Sequence, residues 1–544
     1  MPDQKNRPMI ISILNFSTCL IIVLTFAIST VYGYSKFALI NNSTLADSGN
    51  TIPGAYGDGI HYDTKAIQAA IDSVSNIGGG IVHFSNGKYL SAPFVLKSNV
   101  TLQIDSSATI LASQNEHDYY QPGADTTKPP TSLQNFISAN HAVNIKITGG
   151  GTIDGQGQPW WDSVNVAKAK NATLPLRPRL IEIDHSQHIL VDSVTLINSP
   201  MFHLCPNYCY DVNVNHITIV APSNSPNTDG IDPGECHHVR ISYCKIDNGD
   251  DNIAVGSSST DPSWPDAASS DIIIKHCIFL NGHGCSIGSY TVGGVDSMLV
   301  DSCSFNGTTN GIRIKSERGR GGNIRGLTYS NITMIGVKYP IWIASYYPDI
   351  PGPSDPAQTV NLATPYYHDI NIVNLISTNS PYIGYVVGLP EKFLNRINFQ
   401  NTSFSSTTGL VIRNADIDTT NMFFNIKSGP GLIFQVDGKI TGISPEDKVD
   451  NINFNLMQNY PNPFNPSTII KYQIPNGSFV RLKIYDVLGR ELETLVNGWQ
   501  EAGNHSVVFN SEQIAGKKTI SSGIYLYKLQ AGNYMLTKKM ILIK

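Results

Sequence analysis

The chain has 544 residues, a formal net charge of -5 and only 15% charged residues. That length exceeds one small domain, and the charge balance offers no basic field of the kind nucleic acid binds. Gly, Asn, Ser and Thr are abundant while Glu, Lys and Arg are sparse, which favours turns and strands over long amphipathic helices.

At the N-terminus, Lys5 and Arg7 precede an apolar stretch over 9–28 and small residues around 29–33. This is the order of a secretory signal peptide. Ser12, Asn15, Ser17 and Thr18 interrupt the stretch and weaken the rival reading, a permanent anchor. Residues 1–33 are therefore expected to be cleaved and the mature chain to be secreted or attached to the cell surface. Cys19 falls in this segment, leaving seven cysteines from Cys205 to Cys303. An odd number cannot all pair within one chain, and no repeated Cys-x-x-Cys marks a zinc site. No metal and no cofactor is expected.

From residue 189 onward, apolar residues recur at relative positions 0, 2 and 5, usually with another at 7. The pattern runs through Ile189, Val191, Val194, then Val212, Val214, Ile217, Ile219, then Val239, Ile241, Cys244, Ile246. The position-5 residues are Val194, Ile217, Cys244, Cys277, Cys303, Ile332, Leu375 and Thr402, in steps mostly between 23 and 33 residues. Short alternating segments that recur at such intervals describe strands that return to one place, whereas helical repeats would show a 3.6 period over ten or more residues. Stacked coils bury together what one coil cannot bury alone. The expected fold is all-β: a right-handed single-stranded parallel β-helix over 46–430. Cys244, Cys277 and Cys303 are expected as small interior hydrophobes.

On this repeat lie Asn227-Thr228-Asp229-Gly230, Gly249-Asp250-Asp251, Gly282-His283-Gly284 and Arg313-Ile314-Lys315. Asp229 and Asp250 are 21 residues apart, about one coil, so stacking brings Asp229, Asp250 and Asp251 together. Carboxyl groups that close raise at least one pKa, which gives an acid and a base side by side, the division of labour glycoside hydrolysis requires. Arg313 and Lys315, two residues apart on a strand, point to one face and suit an anionic polymer. Asp232 and Asp247 are expected to be turn or coil-end residues.

These motifs, with Gly57-Asp58-Gly59, Gly149-Gly150-Gly151-Thr152-Ile153-Asp154-Gly155 and Ser225-Pro226-Asn227-Thr228-Asp229-Gly230-Ile231-Asp232, resemble glycoside hydrolase family 28, the polygalacturonases, over 56–407. The resemblance implies hydrolysis of α-1,4-galacturonosyl linkages of pectic polygalacturonan with inversion. By it, Asp250 is the general acid and Asp229 with Asp251 activates water. Asn227 holds substrate or a neighbouring carboxylate, His283 tunes the acid, and Arg313 and Lys315 bind uronate carboxylates. Tyr347 maps to the substrate-contacting tyrosine, with Tyr346 beside it as the alternative. Gly256 stands where many relatives have Lys. A rhamnogalacturonan hydrolase, a pectate lyase and a non-catalytic glycan-binding β-helix are the competing readings. Segments 121–134, 158–176 and 347–365 interrupt the coil rhythm and are candidate walls of a groove.

A linker is expected over 431–452 and a small antiparallel β-sandwich over 453–544. The latter carries Asn462-Pro463-Phe464-Asn465-Pro466, Tyr485-Asp486-Val487-Leu488-Gly489-Arg490 and Ser522-Gly523-Ile524-Tyr525. Together these resemble the C-terminal sorting domain of the type nine secretion system, which implies the secretion machinery as a partner beside the pectic polysaccharide. The protein is expected to be a monomer.

Overall fold

The computed structural model describes residues 52–125, 127–258, 267–436, 439–443, 455–474, 477–501, 503–512, 520–531 and 534–544. The expected signal peptide and half of the expected linker lie outside them. The main body is a right-handed parallel β-helix. Its position-0 residues form one continuous file, Ile189, Val212, Val239, Ile272, Met298, Leu327, Ile370, Ile397 and Ile417, each paired in parallel with the next.

The backbone explains why the apolar spacing jumps from 2 to 5. At position 4, Ser193, His216, Tyr243, His276, Ser302, Asn331, Asn374 and Asn401 all have φ between 53° and 59°. A left-handed residue bends the strand and resets its alternation, so the next inward side chain comes at position 5. Asn, Ser and His tolerate this conformation better than branched residues do. Every position-5 residue from Val194 to Thr402 is buried, and all seven described cysteines are buried and free. On the outer surface of the same corner, the rings of His216, Tyr243 and His276 stack at 5.0 and 4.9 Å.

The helix Thr64–Asn76 covers the first coils with Ile67 and Ile71. The Asp63 carboxylate that precedes it accepts hydrogen bonds from the backbone of Tyr56 and Gly57 at 2.6 and 3.1 Å. A second helix, Gln158–Ala169, forms within the segment expected as a wall and buries Trp160, Trp161 and Val164.

Parallel pairing continues past residue 430: Leu432–Val436 pairs with Leu410–Ile412 and folds back on Lys439–Ile443. The C-terminal unit has its own core around Leu456, Ile470, Tyr472, Ile484, Tyr527 and Met540. In it Ser467–Ile474 pairs antiparallel with Gly503–Asn510. Ser478–Tyr485 lies between Glu491–Gln500 and Gly523–Ala531 in a second antiparallel sheet.

Candidate active site

One strand file carries most of the motifs. Ile231, Ile253, Cys285, Ile312 and Ile341 pair in succession with side chains in the core. Asp229, Asp251 and His283 each stand two residues before a member of that file, so they share one register position in three successive coils. Asp229 is thus opposite Asp251 rather than Asp250, a coil of 22 residues where the sequence spacing suggested 21. Arg313 and Lys315 flank Ile314 one coil further on.

Two fully buried asparagines tie the motif turns together. The Asn248 amide donates to the carbonyls of Thr228 and Asp251 at 2.7 and 2.9 Å. The Asn252 amide donates to the Asn248 side-chain oxygen, and its own oxygen accepts from the Gly284 N–H, both at 2.8 Å. Buried amides satisfied on both ends fix backbone positions because any shift would strand a polar group. His283 is framed by Gly282 and Gly284, with φ of 68° and 78°. A Cβ on either would meet Asn248 Oδ1 at 2.4 Å or the Asn310 carbonyl at 2.1 Å, so only glycine fits.

The carboxyl groups occupy different environments. Asp251 Oδ1 accepts from an Arg313 Nη at 2.8 Å and the Ser286 hydroxyl at 2.6 Å, while Oδ2 accepts from Lys315 Nζ at 2.7 Å. Burial pushes its pKa upward, but Lys315 and Arg313 outweigh burial and hold it well below the usual carboxylate range. Asp229 is 7% exposed and its Oδ1 has no hydrogen-bond partner. Burial, reinforced by Asp232, Asp250 and Asp251, raises its pKa well above the ordinary value. Asp250 is the most accessible of the three. Its Oδ1 meets His283 Nδ1 at 2.9 Å, and its Oδ2 accepts from the Asn227 amide at 3.3 Å. Donor atoms of Asp250, Asp251 and His283 lie within 4.8 Å of one another, but both Asp251 oxygens already face the cationic side chains.

The two tyrosines separate clearly. Tyr347 is half-buried, with Lys315 Nζ 5.3 Å from its ring centroid. Tyr346 is buried, donates from its hydroxyl to Asp355 at 2.8 Å, and lies between Arg318 and Arg413. Tyr347 therefore stands at the charged cluster, and Tyr346 anchors the segment that follows.

Several residues that sequence reasoning did not single out complete the site. Arg177, directly after the 158–176 segment, donates to Asn227 Oδ1 at 2.8 Å, which turns the Asn227 amide nitrogen toward Asp250. Only its neighbourhood to a long insertion hints at this in the sequence. The fully buried His203 accepts the Ser199 N–H at Nε2, and its Nδ1 lies 2.9 Å from the Asp229 carbonyl. Burial pushes its pKa down to about 4, so it is neutral and its Nδ1–H donates beneath Asp229. Asp232, expected as a turn residue, adds a further carboxyl to the cluster: burial and Asp251 raise its pKa well above the ordinary value against the pull of Arg179.

Known proteins resemble this chain in sequence and in fold. The chain is 37% identical over 298 residues to an endo-polygalacturonase of Pectobacterium parmentieri, covering 52% of this chain and 72% of that protein. It is 30% identical over 413 residues to a probable polygalacturonase of Vitis vinifera, covering 72% and 78%. Among solved structures, the polygalacturonase from Erwinia carotovora ssp. carotovora superposes with a TM-score of 0.51 at 30% identity, over 68% of this chain and 94% of that one. An exopolygalacturonase from Thermotoga maritima, at 22% identity, shares the fold with a TM-score of 0.59 over 68% and 90%. Residues 458–544 match the secretion system C-terminal sorting domain. Residues 84–380 match the glycosyl hydrolases family 28 model, more than half of the chain, and with these relatives the chain belongs to that family of glycoside hydrolases.

Proposed function

We propose that this pectin-degrading glycoside hydrolase cleaves the α-1,4-galacturonosyl linkages of pectic polygalacturonan by a single inverting displacement, with Asp250 as acid and Asp229 with Asp251 holding the attacking water. The observation that carries the reading is the unequal treatment of neighbouring carboxyls. Asp251 is kept ionised by Arg313 and Lys315, Asp229 favours its proton, and the accessible Asp250 lies in the same field beside His283. The coupled carboxyls share the retained proton, which belongs to the group rather than to one residue. Bound sugar excludes water and brings the glycosidic oxygen to Asp250, the group with room to deliver it. The carboxylates opposite orient water for attack at the anomeric carbon.

Arg313, Lys315 and Tyr347 form the face that meets the uronate, and Asn227, oriented by Arg177, holds the Asp250 carboxyl. The sorting domain fits export and delivery to the surface or the medium, followed by action on extracellular polysaccharide as a monomer. We place the catalytic unit at 46–430, extended by the Leu432–Val436 coil, and the sorting unit at 453–544. The test is a proton NMR time course on polygalacturonic acid. Initial release of the β-anomer is expected, whereas an α-anomer or an unsaturated product would overturn the mechanism.

A further inference from the structure

The strand file that contains Arg313 continues beyond it with a change of chemistry. Arg313 pairs with Trp342, Trp342 with Tyr385, and Tyr385 with Val411. The parallel file through Lys315 continues to Ala344, Val387 and Arg413. Adjacent coils are about 4.8 Å apart, so Trp342 stands one coil and Tyr385 two coils from the cationic pair. The two files thus run from two cations to the rings of Trp342 and Tyr385, flanked by the buried Ala344 and Val387, and then to Val411 and the buried Arg413.

These rings are held in fixed positions. Trp342 meets Tyr385 edge-on at 5.0 Å and 69°, and Tyr339 meets Trp342 at 5.2 Å and 71°. Tyr339 also stacks on Tyr382 at 4.9 Å. Trp342, Tyr385, Val411 and Arg413 line a cleft of about 260 Å³ whose other wall is the 349–353 stretch directly after Tyr347. That wall is pinned from both ends. Both Arg413 Nη groups donate to the Pro351 carbonyl at 3.0 Å, and Arg318 pairs with Asp355 at 2.7 Å and with Glu391 at 2.6 Å. Arg413 is 5% exposed, and its Nε has no partner. The cleft is smaller than the roughly 300–1,000 Å³ that drug-sized ligands occupy, which suits one sugar ring rather than an oligosaccharide.

We infer that Trp342 and Tyr385 form a sugar-stacking subsite, one to two coils from the cleavage cluster, that takes a further uronosyl residue of the same pectic chain. This rests on the galacturonan reading above. The C–H face of a pyranose ring is apolar and packs on an aromatic face, and since the cleft is lined by Arg413 on one side and the Asp349 carboxylate on the other, the rings rather than net charge carry the subsite. Its continuity with the Arg313 file makes the occupant an extension of the bound substrate rather than a separate ligand.

The experiment measures kcat/KM on galacturonic acid oligomers of increasing length for the wild type, Trp342→Ala, Trp342→Phe and Tyr385→Ala, with thermal unfolding of each. For Trp342→Ala the ratio of kcat/KM on the longest to that on the shortest cleaved oligomer should fall about 10-fold, the scale of losing the burial of one aromatic face. Tyr385→Ala should reduce the ratio too, and Trp342→Phe should retain most of it. An unchanged length profile overturns the subsite. A uniform loss at every length with a lower Tm also overturns it and leaves the rings as a brace of the coil stack. A wild-type enzyme that cleaves no galacturonan oligomer refutes the galacturonan reading itself, and the subsite falls with it.

Discussion

Lys315 Nζ lies 2.7 Å from Asp251 Oδ2, and the two side chains are only 7% and 3% exposed. Lys315 is therefore part of the carboxylate cluster before any substrate arrives. Replacing it by Met leaves a buried carboxylate with one cation fewer, and breaking a buried pair typically costs about 3–5 kcal/mol. Lys315→Met should lower Tm and reduce kcat/KM at least about 10-fold on both galacturonan and fully methyl-esterified pectin. The excess loss on the acid polymer measures direct contact with uronate. An unchanged Tm with a loss confined to the acid polymer would mean that the bond to Asp251 carries no structural weight.

Asp250→Asn keeps the shape and can still meet His283 and Asn227, but it has no proton to deliver. Hydrolysis should fall by more than about 10²-fold with thermal unfolding close to wild type, since general acid catalysis alone is worth that much. Retention of more than about a tenth of kcat in a folded variant would remove Asp250 from the role of acid.

Asp229 gives a prediction of opposite sign for stability and activity. Its folded pKa is raised by burial and by neighbouring acids, so folding favours its neutral form. That contribution is complete below the unfolded value near 3.9 and is lost as pH rises through the folded value. Asn has no proton to lose. Asp229→Asn should therefore lose activity yet gain stability relative to wild type, the gain growing above about pH 4 by up to about 1.4 kcal/mol per pH unit until the folded value is passed. Thermal unfolding of both proteins from about pH 4 to about pH 8 checks this, and a difference independent of pH would show an ordinary carboxylate.

Among the described residues, the cores of the coil stack and of the C-terminal unit contain no residue in common. Removal of 453–544 should leave a purified enzyme with wild-type kcat/KM on polygalacturonic acid, while cells expressing it should fail to deliver it to the surface or medium. Loss of activity in the purified truncated protein would mean that the terminal unit supports the groove or the stack.

The repeat was legible in the sequence because a parallel β-helix writes its geometry into local spacing. Residues such as Val212, Val214, Ile217 and Ile219 mark inward positions, and the jump from 2 to 5 records a left-handed corner even where its occupant varies from His216 to Asn331. The motif residues were legible partly for the same reason: coil-length spacing puts the motifs of Asp229 and of Asp250 and Asp251 in neighbouring coils, while the roles expected of His283, Arg313 and Lys315 rested on the family resemblance.

Tertiary structure decided what spacing cannot. A single residue of coil length sets Asp229 opposite Asp251 instead of Asp250, and local sequence does not fix register across a loop. Tyr346 and Tyr347 are adjacent and chemically alike, and only the packing of Asp355, Arg318 and Arg413 around the first leaves the second at Lys315. Arg177, His203 and the Asn248–Asn252 pair act on other coils, through Asn227, Asp229, Thr228 and Gly284, so their roles depend on which atoms end up buried together. The sequence by itself determined the repeat and the face on which the motif residues fall, because those follow from local periodicity. Burial and long-range pairing decided in which direction each carboxyl's pKa moves, because desolvation and Coulomb energy depend on distances that only the folded stack defines.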